Sequence, residues 1–251
     1  MKRAPIQQQG NILFLILISM ALFAMLTFAV TDAENESTDM DSEMAALYAT
    51  QIIQYANDLK TTVARLRMIN ECSDEQISFA YDSDGDGDVD ASDYFYNASA
   101  PDKCMVFGNE GGNMTYDPLD AKVYVNQSSL SVTQGYGIPL FTSELEVSGI
   151  GSYCGSTSGN GCNELVFMAH YITEDICRAI NKKLGNEITT FASESIPGLD
   201  GGVSDHFTGS YSSIANTLIG DQQMEFVGKY SGCIYRSYQP GYNYYHVLVA
   251  R

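Results

Sequence analysis

The sequence predicts an α+β protein. A long N-terminal helix, one half transmembrane and one half amphipathic, leads into a disulfide-rich, mostly β globular head with one further helix. Three observations predict it. Ile12 to Val30 is an unbroken apolar run. Apolar residues then recur at helical spacing as far as Leu66. Beyond that point the pattern changes to short apolar runs, turn residues and six cysteines.

The apolar run, ILFLILISMALFAMLTFAV, holds nineteen residues without a charge, and only Ser19 and Thr27 are polar. As a helix it is about 28 Å long, close to the hydrocarbon thickness of a bilayer. A leader of ten residues precedes it, with Lys2 and Arg3 as its charged side chains. Basic residues before the run and acidic bulk after it predict a cytoplasmic N-terminus and an exported head. A cleaved signal peptide, a plain signal anchor and the membrane half of a longer stem all begin this way. Nineteen residues is long for the first, and Thr27 to Thr31 makes a poor cleavage site.

Residues 32–41, DAENESTDMD, form a polar linker. The second helix is expected over Ser42 to Ile69. Met44, Tyr48, Ile52, Tyr55, Leu59, Val63 and Leu66 are spaced by three or four residues, which makes one stripe. Asp41 or Ser42 can cap its start, and Lys60, Arg65 and Arg67 suit its C-terminal half.

A short basic leader ending in Gly10, an apolar helix from Asn11, an amphipathic helix and a cysteine-bearing head resemble a type IV pilin or pseudopilin. The resemblance covers about the first 70 residues. It implies cleavage after Gly10 by a prepilin peptidase, a mature start at Asn11, and homo-oligomerisation into a filament through the N-terminal helix. It also implies an inner-membrane precursor that becomes a cell-surface or extracellular filament. Leu15 stands where these proteins usually carry Glu. The implied organisation is a leader (1–10), a transmembrane or filament-core helix (11–31), a linker and stem helix (32–70), and a head (71–251).

The head should open with a strand, Gln76 to Tyr81, by its alternation. The most specific motif of the chain follows, DSDGDGDVDASD at 82–93. Against the twelve-residue calcium loop, Asp82, Asp84 and Asp86 take positions 1, 3 and 5. Gly87 takes the sharp turn at position 6, and Asp88 offers its carbonyl at 7. Val89 is the apolar plug, Asp90 stands at 9 and Asp93 closes at 12. Ca²⁺ needs six to eight oxygens at roughly 2.3–2.6 Å, and alternate carboxylates on one tight loop can supply them. The Asp at position 12 resembles dockerin loops. Ser83, at position 2, is expected to point away from the ion.

Six cysteines after an export signal predict disulfides. Sequential pairing gives Cys72–Cys104 around the loop, Cys154–Cys162 around GSTSGNG, and Cys177–Cys233. Six cysteines allow 15 pairings, and no C-x-x-C points to zinc. The stretch from 106 to 147 reads as strands and loops, including Lys122 to Val125. A helix is expected at Glu174 to Leu184, with Thr173 as cap and Gly185 after its end. Residues 192–222 read as a long loop. Phe226 to Tyr235 and Tyr244 to Val249 read as a hairpin turning at Pro240-Gly241.

The net charge of −18 argues against nucleic acid as a partner. His170, His206 and His246 are isolated, and His170 reads as a core histidine. No catalytic motif is present, so the chain reads as non-enzymatic. The sequons at Asn35, Asn97, Asn113 and Asn126 read as chance occurrences. Two functions fit: a pilin-like structural subunit with a calcium- and disulfide-stabilised head, or a membrane-anchored extracytoplasmic calcium-binding adhesion or binding protein that does not polymerise.

Overall fold

The structure, a computed structural model, describes residues 12–126, 136–152, 163–186, 188–194, 206–211, 218–236 and 241–251. Two compact units divide the chain, Met1–Met44 and Ala45–Arg251. Helix α1 spans Ile12–Met68. Of the side chains before Asp41, those at positions 16 and 18–23 are described.

Two expectations for this helix are corrected. Among the described residues no helix is long and apolar enough to cross a membrane. A transmembrane half and an inner-membrane precursor therefore lose their structural basis, and with them the pilus assignment built on such a span. The apolar run is also not a separate element with its own ends. Helical backbone continues through 32–41, where Asp32, Glu34, Glu36, Asp39 and Asp41 put five acids directly after it. The polar linker and the separate second helix are replaced by one unbroken run.

Within the second unit, the predicted stripe is the buried face of α1. Ile52, Leu59, Val63 and Leu66 are fully buried, together with Ala49 and Ala56. Tyr55 beside them meets Phe167 of the sheet edge-to-face at 5.7 Å. The helix stops where Glu71 takes a left-handed backbone (φ 56°) and the Cys72 amide turns back to the Leu66 carbonyl at 3.2 Å.

Among the described residues the head is a six-stranded mixed sheet. Its strands are β1 (Pro139–Val147), β2 (Glu164–Ile172), β3 (Ser193–Glu194), β4 (Leu218–Ile219), β5 (Ser231–Arg236) and β6 (Gly241–Val249). Their order is β3-β5-β6-β2-β1-β4. The four central strands are antiparallel, and the two short edge strands pair in parallel. β2 is buried along its whole length, as a central strand covered on both faces must be.

Helix α2 (Glu174–Leu184) follows β2 directly. Gly185 closes it at φ 69° in the left-handed region, as glycine alone does without strain. The Thr173 side chain makes no cap bond. Asn181 ties α2 to β5 by donating to the Cys233 carbonyl (2.8 Å) and accepting from the Cys233 amide (2.9 Å).

Local departures share one cause: tertiary contacts override alternation. Residues 76–81 form no strand. A 3-10 turn at Asp74–Gln76 leads to a single bridge between Ser78 and Met105. Lys122 to Val125 likewise becomes a 3-10 turn and one bridge, Tyr124 to Ile172. The apolar side chains of these segments enter the core one at a time. The 192–222 loop contains β3 and β4 as edge strands. The hairpin turn at Pro240 lies outside the described residues.

A candidate metal centre on the acidic loop

The loop stands on an aromatic base. Phe79 precedes it and stacks on Phe141 of β1 at 4.0 Å, and Phe95 follows it and meets the same ring edge-on at 5.1 Å. Both are fully buried. Asn97 anchors the exit by donating to the carbonyls of Glu75 (2.8 Å) and Ile77 (2.9 Å). That buried role leaves its sequon inaccessible to modification.

Between these anchors the chain turns tightly. Gly85 (φ 79°) and Gly87 (φ 99°) occupy the left-handed region, so Asp at either place would be strained. Asp82 accepts from the Gly85 amide (2.6 Å) and the Gly87 amide (3.0 Å). Asp84 accepts from Asp86 (3.2 Å), and Asp86 from Asp88 (2.9 Å). One carboxylate oxygen from each of Asp82, Asp84 and Asp86 lies within 4.8 Å of the others. Oxygens around one Ca²⁺ are separated by at most about 5 Å, so these three fit a shared ion.

The remaining candidates do not join this group. Asp90 accepts from the Ser92 amide (2.8 Å) and hydroxyl (2.6 Å), which hold its carboxyl below the usual range. Asp93 accepts from the Ser83 amide (2.6 Å), the Ser83 hydroxyl (2.8 Å) and the Asp90 amide (2.9 Å). Burial alone would raise the Asp93 carboxyl, but these donors outweigh it and lower it. Ser83 is thus not the bystander its position suggested. It ties the start of the loop to its end.

Cys72 pairs with Cys104, and Cys177 with Cys233. Cys154 and Cys162 lie outside the described residues, as do Gly10 and Asn11. The first bridge fixes the base of the loop to the end of α1.

The histidines are interior groups. His170 is fully buried and its Nδ1 lies 2.9 Å from the Asn243 Oδ1. The Asn243 amide nitrogen donates to the Gly241 carbonyl (2.8 Å). That orientation turns the oxygen toward the ring, while the Arg236 Nη1 lies 3.3 Å from the same Nδ1, so its two neighbours ask opposite roles of that nitrogen. Burial, then the Arg236 guanidinium, pushes the imidazole down to about 3. Burial likewise lowers His206 to about 4 and, helped by Lys60, His246 to about 4. All three rings are thus enclosed and held in the neutral form.

A groove beside the acidic loop was not foreseen from the sequence. Phe107, Met114 and Tyr116 line it with Tyr81, Asp82 and Val89. Its signal in the sequence is the glycine run 108, 111 and 112. A Cβ at Gly111 or Gly112 would collide with the Met105 or Val106 carbonyl, so this turn can form only with glycine.

Compared with family models, with curated proteins and with solved structures, the chain gives no match in any of the three.

Proposed function

We propose that this protein is a non-catalytic structural subunit whose head is stabilised by one Ca²⁺ on the 82–93 loop and by disulfides. One observation carries the reading: the convergence of Asp82, Asp84 and Asp86 on a loop bent by Gly85 and Gly87. Bound there, Ca²⁺ would neutralise carboxylates that otherwise repel one another. Water or the Asp88 carbonyl would complete its oxygen shell. The buried neutral histidines and the lack of a catalytic motif support a structural rather than an enzymatic role.

Self-association through the N-terminal helix belongs to the same reading. Ile16, Ile18, Met20, Leu22 and Phe23 are all more than two-fifths exposed. Apolar side chains exposed around a helix in this way seek cover, and a second copy of the same helix supplies it. Sedimentation velocity of the full chain tests this. Assemblies larger than a monomer are expected, and Leu22→Glu with Phe23→Glu should dissolve them. A monomer in the wild type would contradict the assembly role and leave the calcium site to its own test.

A further inference from the structure

Beside the acidic loop lies a groove of about 540 Å³, within the size range of small-ligand sites. We propose that it binds a neutral carbohydrate. The inference rests on the side chains of the groove and does not depend on the metal reading.

Its walls are aromatic. Tyr81 and Tyr116 stack at 3.7 Å with an interplanar angle of 11°. Phe107 stands edge-on to both, at 6.3 Å and 5.4 Å. All three rings are half-buried, so they hold one another in place and keep part of their surface open. Met105 and Met114 fill the floor. The rim is polar and uncharged: Asn109, Asn113 and Thr115 are exposed and offer two amides and a hydroxyl.

Among the described residues no Lys, Arg or His lines the groove, so no cationic side chain there would hold an anion. Asp82 is the one charged residue of the lining, and both of its oxygens already accept from loop amides. What remains is apolar ring surface bordered by neutral donors and acceptors. A sugar ring matches this, with a C–H face for the aromatic rings and hydroxyls for the rim.

The groove is also rigid. The Gly112 amide donates to the Met105 carbonyl (2.8 Å), and the Met114 amide to the Val106 carbonyl (3.2 Å). Arg65 of α1 donates to the Gly112 carbonyl. Cys104, bonded to Cys72, fixes the incoming chain. Such preorganisation reduces the cost of binding.

The test is affinity electrophoresis of the full chain through gels containing mannan, dextran, xylan or hydroxyethylcellulose. Saturation-transfer NMR with the matching oligosaccharides accompanies it, with both run in Ca²⁺ and in chelator. At least one neutral glycan should retard the wild type. Asn109→Ala with Thr115→Ala should weaken that binding about tenfold, as the loss of two hydrogen bonds implies. Both residues are exposed, and an unchanged melting curve shows that the fold is kept. No retardation and no saturation transfer from any glycan in either buffer overturns the proposal. Equal binding by the double variant also overturns it, as does binding of a Phe- and Leu-rich peptide in place of every sugar.

Discussion

Asp93 and Ser83 lock the two ends of the acidic loop together. One carboxylate oxygen of Asp93 accepts both from the Ser83 amide at 2.6 Å and from its hydroxyl at 2.8 Å. The last residue of the calcium motif therefore works as a clasp in the structure and stands apart from the three converging carboxylates. This clasp joins Phe79 and Phe95 by holding their connecting loop in one shape.

Asp93→Ala should then destabilise the chain even in chelator, by about 2 kcal/mol for three lost hydrogen bonds. Ser83→Ala, which removes one of them and the acceptor of the Tyr94 amide, should cost about 1–2 kcal/mol. The clasp carboxyl is held below its ordinary value. Its contribution is therefore present above the unfolded-state pKa near 4 and is lost as pH falls through the lower folded-state value. Urea melts at neutral pH check both variants. Equal stability of Asp93→Ala and wild type in chelator would remove the clasp.

Glu164 gives the opposite pH dependence. Its side chain is buried on β2, where it accepts from the Val147 amide at 2.8 Å. Burial, with Glu146 adding to it, raises its carboxyl to about 7 against the opposing effect of that amide. The folded state therefore holds a proton that the unfolded state releases. The stabilisation is complete below about pH 4.5 and fades as pH rises through 7. Glu164→Gln should flatten this dependence and raise stability at pH 8 by about 2 kcal/mol. Melting temperatures of both proteins between pH 5 and 8 check it.

His170 acts from the other side of neutrality. Its folded-state value lies far below the unfolded one, so burying the neutral ring contributes stability above about pH 6.5. That contribution declines as pH falls toward about 3. His170→Gln should show a shallower loss of stability between pH 6 and 4 than the wild type. Acid titration followed by far-ultraviolet circular dichroism measures the difference.

Cys177 and Cys233 join α2 to β5 across 56 residues. Replacing both by alanine should cost about 3 kcal/mol, and Asn181 should keep α2 docked in the variant. Alkylation of the unreduced, denatured wild type should add no mass. Two or more labelled thiols would contradict the bridged head.

The elements legible in the sequence are those whose signal is local and repeated. The stripe from Tyr48 to Leu66 needs only the helical period, and the end of α2 needs only Gly185. Asp82, Asp84 and Asp86 come together because two glycines and alternate carboxylates bend a short loop by themselves. The features that were not legible depend on distant partners. Asp93 turns to Ser83, ten positions away, whose amide and hydroxyl it accepts from. Residues 76–81 alternate like a strand, yet Ser78 bonds across a disulfide-tethered segment, and Phe79 is drawn to Phe141. The groove needs Tyr81 and Tyr116, 35 positions apart, to stack, and no periodicity announces such a pair.

The central claim is the calcium site, and calorimetric titration of the full chain with CaCl₂ after chelator treatment tests it most directly. One ion per chain is expected, with a Kd on the order of 10⁻⁴–10⁻³ M or tighter for a single loop. At a hundredfold excess over Kd the ion should add about 2.7 kcal/mol of stability. Asp82→Ala and Asp86→Ala should each abolish the heat and the added stability. No binding heat, together with an unchanged melting temperature in saturating Ca²⁺, would reduce residues 82–93 to an acidic turn held by its own hydrogen bonds.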